Sequence, residues 1–262
     1  MGLNADIVQA TKKGELAKVM RLYEQGADVN TRVGDSIKKR SILHHAAQRG
    51  FLDIVRYLLG CNMPVDLTDA DEKTPLYYAV EEAKVDVVKE LVKHQATINI
   101  LGRGNPFIRA CECSYDSCDI VEFLLESGAD INALCDINET PLYGALRQGN
   151  IAATRLLLTL GADINHRDLG GTTPAMSIAY HDRTSNLRLL LDKGAELNAA
   201  GYHDGNTALH IAAIYGRKSV VSVLLEYGGK ADVLNRNGLS PLDIARKVGK
   251  KNVVDALTQL SV

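Results

Sequence analysis

Apolar residues recur along the chain at helical spacing, in short paired runs that each stop at a glycine. Residues 151–160, IAATRLLLTL, carry apolar side chains on a helical period and are closed by Gly161. The run before them, TPLYGALRQGN at 140–150, opens with threonine and proline and reaches Gly149. Thr140 supplies an N-cap hydroxyl, Pro141 occupies a first turn where a missing N–H costs nothing, and Gly149 tolerates the left-handed C-terminal conformation. Together the two runs predict a pair of antiparallel helices.

The pair is written again and again. SILHHAA (41–47), TPLYYAV (74–80), NPFIRAC (105–111), TPLYGAL (140–146), TPAMSIA (173–179), TALHIAA (207–213) and SPLDIAR (240–246) align with one another. Their second residues, Ile42, Pro75, Pro106, Pro141, Pro174, Ala208 and Pro241, are separated by 33, 31, 35, 33, 34 and 33 positions. A second phrase keeps the same step: LYEQGADVN ends at Asn30, LLESGADIN at Asn132, LLTLGADIN at Asn165 and LLDKGAELN at Asn198. Worn copies end at Asp66, Asn99 and Asp232. Small residues such as Ala46, Ala79, Ala110, Ala145 and Ala212 let neighbouring helices approach closely. Ordering one such 33-residue unit costs about 50 kcal/mol at roughly 1.5 per residue. Only stacked neighbours bury enough apolar surface to offset that, so folding belongs to the array.

These phrases resemble the ankyrin-repeat family, with seven recognisable repeats after a half-matching N-terminal unit at about residues 4–30. The resemblance covers nearly the whole chain. It implies an all-α solenoid of stacked helix-turn-helix units with β-hairpin or loop fingers and a concave binding groove. It also implies one domain over 1–262: an N-terminal capping repeat at 1–33, repeats at 34–66, 67–99, 100–132, 133–165, 166–198 and 199–232, and a C-terminal repeat at 233–262. Its functional implication is broad, because this architecture serves many unrelated binding tasks.

Composition narrows the partners. The 262 residues are 46% apolar and 24% charged, as in a soluble folded protein, with a formal net charge of −2. That charge gives no overall pull toward nucleic acid or anionic membrane, so neither is expected as a partner. The first residues, MGLNADIVQATKKGEL, hold no unbroken apolar signal core, and no stretch approaches the 18 or so apolar residues of a membrane span. Five cysteines cannot all pair within the chain, which favours reduced thiols in a reducing compartment. The expected setting is cytoplasmic, with nuclear entry or delivery into a host cell as alternatives. A monomer binding another protein, without a cofactor, is the expected state.

Three clusters raise chemistry. In SILHHAAQRG the adjacent His44 and His45 invite a metal or general-base reading, yet no serine, cysteine or carboxylate stands in a nucleophile phrase nearby, and no enzyme is expected. The resemblance gives His44 the role of tying its repeat to the adjoining loop; His210 repeats it, and Tyr77, Tyr143 and Asp243 replace it elsewhere. The segment TRVGDSIKKRS lengthens one loop and carries Lys38, Lys39 and Arg40, a solvated tip or a basic contact for an acidic partner. The insertion ACECSYDSCD bunches Cys111, Cys113 and Cys118 in a C-x-C-x4-C order that matches no common zinc spacing. A redox or metal sensor built on these cysteines is an alternative to the binding scaffold, and so is a bacterial or viral effector that binds a host protein in the same way.

The resemblance also places a partner-facing row. It comprises Lys38, Lys39, Arg40, His45, Arg49, Tyr78, Glu81, Glu82, Glu112, Arg147, Tyr180, His181, Tyr202, His203, Ile214 and Tyr215. The tyrosines form its expected energetic centre, since interfaces are enriched in tyrosine anchors. Asn30, Asn132, Asn165 and Asn198 resemble the pattern hydroxylated by cytosolic asparaginyl hydroxylases, which only an animal-cell setting would supply; they are otherwise read as turn formers that bond their own backbone.

Overall fold

The computed structural model describes residues 2–32, 38–113 and 118–259. Positions 33–37 of the long loop, 114–117 of the cysteine-bearing insertion and 260–262 of the terminal VVDALTQLSV lie outside the described residues. Among the described residues there are sixteen α-helices, one short 3-10 turn and no strand. The described fingers are therefore turns rather than paired strands.

The helices come in eight pairs. They are α1 (Leu3–Lys13) and α2 (Leu16–Glu24), α3 (Ile42–Arg49) and α4 (Leu52–Gly60), α5 (Pro75–Glu81) and α6 (Val85–Lys93), and α7 (Pro106–Glu112) and α8 (Asp119–Glu126). There follow α9 (Pro141–Gln148) and α10 (Ile151–Thr159), α11 (Pro174–Ile178) and α12 (Thr184–Asp192), α13 (Ala208–Tyr215) and α14 (Lys218–Glu226), and α15 (Pro241–Lys247) and α16 (Lys251–Gln259).

The chain divides into two compact units. Of the described residues, the first unit holds 2–32, 38–110 and 118–135; the second holds 111–113 and 136–259. Within the first, the leading helices pack α1 on α3 and α3 on α5, and the trailing helices α2 on α4, α4 on α6 and α6 on α8. Within the second, α9, α11, α13 and α15 stack in order beside α10, α12, α14 and α16. Leu43 and Leu76 in one unit, and Leu142 and Leu209 in the other, are buried at matching positions. Each such leucine contributes about 1.5–3 kcal/mol by leaving water.

The helix starts follow the predicted chemistry with one correction. Thr74 and Thr173 accept the Tyr77 and Met176 amides on their hydroxyls, each at 3.3 Å. Thr140 makes no such bond: the Tyr143 amide donates to the Thr140 carbonyl instead, at 3.0 Å. The first turn of α9 is thus wound tightly enough to satisfy that N–H on backbone. Gly149 takes the left-handed conformation expected of it, with φ 77°.

Asn165 and Asn198 also depart from expectation, and Asn99 of a worn copy behaves as they do. Asn99 Oδ1 accepts the Asp130 amide at 2.8 Å, Asn165 Oδ1 accepts that of Glu196 at 2.8 Å, and Asn198 Oδ1 accepts that of Lys230 at 2.9 Å. These side chains bond the next repeat rather than their own backbone, because the stacked neighbour presents an unsatisfied amide within reach.

Candidate protein-binding site

The two adjacent histidines separate into distinct roles. The Ser41 backbone N–H donates to His44 Nδ1 at 3.1 Å, and His44 Nε2 lies 3.0 Å from the Lys73 carbonyl in the following finger. An acceptor Nδ1 and a donor Nε2–H define a neutral imidazole. Burial is the main force lowering the His44 pKa to about 4, with Arg40 and Arg32 adding to it against the Lys73 bond and the Asp69 charge. His210 repeats the arrangement on Thr207 N–H, at 3.1 Å, and the Leu239 carbonyl, also at 3.1 Å. A group held neutral and fully bonded inside a helix cap is neither a metal ligand nor a general base.

Around His44 the first unit gathers a polar cluster. Asp69 accepts the amides of Asp71 and Lys73 at 2.9 and 3.0 Å and the Tyr78 hydroxyl at 2.6 Å. The Arg40 guanidinium lies 3.9 Å from the centre of the Tyr78 ring, with Nε 3.6 Å from Asp69. Burial alone would raise the Asp69 pKa, but the bonds from Tyr78, Lys73 and Asp71 together hold it below its ordinary value. Arg40 also donates to Gln48 at 3.0 Å, and Arg109 pairs with Glu81 at 3.2 Å.

In the second unit, Tyr143 occupies the histidine position of its repeat and performs half of its task. Its hydroxyl reaches the Thr172 carbonyl, the counterpart of the Lys73 and Leu239 carbonyls, at 2.5 Å. Arg147, one turn on, bridges Glu139 and Glu112 at 2.9 Å each. Gly144 makes that bridge possible, since a Cβ there would come within 2.7 Å of Glu112 Cγ.

Two apolar patches of the second unit remain open to solvent. At the tips of the helix pairs, Tyr180 and Tyr215 are 37% and 47% exposed, with ring centroids 4.9 Å apart. Along the fingers, Ile137, Leu169 and Tyr202 are all at least half exposed. These fingers are zipped through backbone: Leu169 N–H donates to the Ile137 carbonyl at 3.3 Å, and Tyr202 N–H to the Gly170 carbonyl at 3.1 Å. The Tyr202 ring lies flat on Gly171, whose φ is 75° and where an added Cβ would meet the ring at 2.3 Å. Contiguous apolar surface left open to water in the folded state is the kind that proteins use to bind one another.

A family model described as ankyrin repeats, in three copies, matches residues 7–101, 107–201 and 197–261. The chain is an ankyrin-repeat protein. It is 30% identical over 250 residues to the palmitoyltransferase ZDHHC17 of Rattus norvegicus, and 30% identical over 256 residues to that of Danio rerio. In each case the match covers 95% of this chain and 34% of the relative, so the chain spans about a third of the length of these proteins. Among solved structures, the human ASB11 ankyrin repeat domain superposes with a TM-score of 0.74 at 28% identity, covering 84% of this chain and 98% of that one. Ankyrin repeats are in general protein-protein interaction modules.

Measured against the partner-facing row that the ankyrin resemblance implied, the structure sorts the residues by environment. Lys38, Lys39, Arg49 and Glu82 are exposed in the first unit, as are Tyr180, Tyr202, His203 and Tyr215 in the second. His181 and Ile214 are half-buried. Arg147 and Glu112 are engaged with each other, and Glu81 with Arg109. His45 and Tyr78 require correction: they are 6% and 1% exposed. Their shared position in the ankyrin inner helix faces the adjoining inner helices, and Ile211 is buried at the same position. Arg40 is corrected in the same sense, since its head group turns inward onto Tyr78 and Asp69 rather than forming a basic tip with Lys38. Ile137 and Leu169 were not foreseen. Their signal is a lone large apolar residue beside the finger aspartates Asp136 and Asp168, where a solvated turn has no need of one.

The cysteines give no sign of sensing chemistry. Cys111 and Cys113 are buried. Burial, reinforced by Glu122 and Asp119, raises the Cys118 thiol, the opposite of what a reactive thiolate needs. Among the described residues no group of three or more His, Cys, Asp or Glu side chains is arranged to hold a metal ion, and no helix is long and apolar enough to cross a membrane.

Proposed function

We propose that this ankyrin-repeat chain is a non-catalytic scaffold that grips another protein through the open aromatic surface of its second unit. The observation carrying this reading is the Tyr180–Tyr215 pair, exposed on the tips of neighbouring helix pairs. Two tilted rings present broad, rigid apolar area with little side-chain entropy left to lose, the character of a binding anchor. Tyr202, His203 and Ile214 extend the surface in the same unit. The palmitoyl transfer named for the mammalian and fish relatives is no part of this reading, because the polar clusters of this chain are spent on holding its own repeats together.

The test begins with a partner isolated on the wild-type protein and purified. Its Kd is then measured against wild type and a Tyr180→Ala/Tyr215→Ala double variant. The expected loss is about 10- to 100-fold, as for a hot-spot pair. An unchanged Kd with an unchanged circular dichroism spectrum would reject the site.

A further inference from the structure

Beside the tyrosine pair, the second unit carries a cation at one fixed place in each of three successive repeats. The residue just before each trailing helix is Arg183 before α12, Arg217 before α14 and Lys250 before α16. Each is laid back on the turn of the preceding repeat. A Cβ on Gly149 would come within 3.1 Å of Arg183 Cδ, and one on Gly216 within 2.9 Å of Lys250 Cδ. Arg217 Nε donates to the Tyr180 carbonyl at 3.0 Å. The stems of Arg183 and Lys250 are thus held by packing; Arg183 is exposed, and Arg217 and Lys250 are half-buried.

Among the described residues none of the three forms an ion pair, so their charge is not neutralised within the fold. Asp182, the residue before Arg183, accepts from Ser219 Oγ at 3.4 Å. Lys218, Arg246, Lys247 and Lys251 stand exposed along the same turns. Burial depresses the His181 pKa, and the neighbouring Arg147, Arg183 and Arg217 depress it further, a second sign that positive potential gathers here.

Charge and the repeat of the fold point to the occupant. Packed helices in general lie about 8–10 Å apart, which sets the interval between the successive turns that carry these cations. A β-strand places residues three apart on opposite faces, which would waste alternate charges. A polyproline II segment turns once every three residues and rises about 3.1 Å per residue, so positions i, i+3 and i+6 share one face at about 9 Å intervals. Its preformed backbone loses little entropy on binding, and aromatic rings such as Tyr180 and Tyr215 are suited to its proline faces. We propose that the rim formed by Arg183, Arg217 and Lys250 binds an acidic segment of a partner protein in the polyproline II conformation, with a carboxylate at every third residue. The proposal names the partner class of the binding surface described above and rests on that reading for its tyrosine anchor alone.

The test uses fluorescein-labelled peptides of about twelve residues and fluorescence anisotropy with the full chain. One peptide repeats Glu-Pro-Pro, a second has the same composition with its glutamates contiguous, and a third repeats Lys-Pro-Pro. A single-stranded oligothymidylate and phosphatidylserine vesicles complete the set. The spaced acidic peptide should bind about tenfold more tightly than the contiguous one and weaken steeply with salt, and the lysine peptide should not bind. Arg183→Glu, Arg217→Glu and Lys250→Glu should each weaken it about threefold, and the triple variant should abolish the preference for spacing. Should the triple variant fail to fold, Arg183→Gln with Lys250→Gln serves the same purpose. Equal binding of the two acidic peptides would overturn the proposal, as would binding confined to the oligonucleotide or the vesicles. The Tyr180→Ala/Tyr215→Ala variant separates the two readings: retained spacing preference there keeps the ladder and rejects the aromatic anchor. Loss there, with no response to charge reversal, does the reverse.

Discussion

The Nε2 of His44 lies 3.0 Å from the carbonyl oxygen of Lys73, twenty-nine residues along the chain. That contact belongs to a series: His210 meets Leu239 and Tyr143 meets Thr172, in each case a leading-helix side chain held to the finger of the next repeat. Since no repeat folds alone, such contacts between neighbours are where stability is decided.

The first prediction follows from the neutral imidazole. The folded pKa of His44 is about 4, against 6.5 for a free histidine. As pH falls below 6.5 the unfolded chain takes up a proton that the folded chain refuses until near 4. Stability should therefore be complete above that window and decline through it, by up to about 3 kcal/mol for this one site. His210 is shifted in the same direction and adds to the loss. Urea unfolding at pH 7 and pH 5 measures the slope, and His44→Gln should be weaker at pH 7 but less sensitive to acid.

Tyr143→Phe removes the hydroxyl that reaches Thr172 while preserving the ring. The half-buried carbonyls of Thr172 and His166 lose a donor, and the expected cost is about 1–3 kcal/mol in denaturant unfolding. Tyr143→His should be milder, because a ring nitrogen performs the same task at His44 and His210. A cost for Tyr143→Phe below the error of the measurement would contradict the role given to the hydroxyl.

Asp69→Ala should be among the more damaging single changes in the first unit. It strands the Tyr78 hydroxyl and the Asp71 and Lys73 amides at once and leaves Arg40 without its carboxylate. A loss of about 3 kcal/mol or more is expected from thermal or chemical denaturation. Asp69→Asn, which keeps an acceptor, should cost less.

Gly171→Ala tests the placement of Tyr202 without substituting the tyrosine. A Cβ at φ 75° is strained, and at 2.3 Å it would drive the Tyr202 ring off the finger. The expected penalty is about 1–3 kcal/mol, together with a changed near-ultraviolet tyrosine signal. An unaltered spectrum would show that the ring does not rest on this glycine.

Repeated phrases made the helix pairs legible, because a period that recurs through the chain reports a local preference written many times over. Caps were nearly as clear: a left-handed glycine such as Gly149 is demanded by the backbone whatever surrounds it. Reading was less sure wherever a side chain had a choice of neighbour. Thr140 was expected to cap its helix and does not. Asn165 and Asn198 were expected to bond locally and bond across to the next repeat. Tyr78 and His45 were expected at the surface and lie buried, while Ile137 and Leu169 went unremarked and are exposed.

By itself, then, the amino-acid order determined the helices, their pairing and the stacking of one pair on the next, since those follow from periodicity and backbone chemistry within about 33 residues. Tertiary structure alone decided which polar and aromatic groups are spent between repeats and which are left over for a partner. Arg40 and Arg183 are both arginines beside a turn, yet one is drawn onto a buried tyrosine and carboxylate and the other is laid over Gly149 with no carboxylate paired to it among the described residues. The difference is what stands opposite each of them, and that is set by the neighbouring repeat.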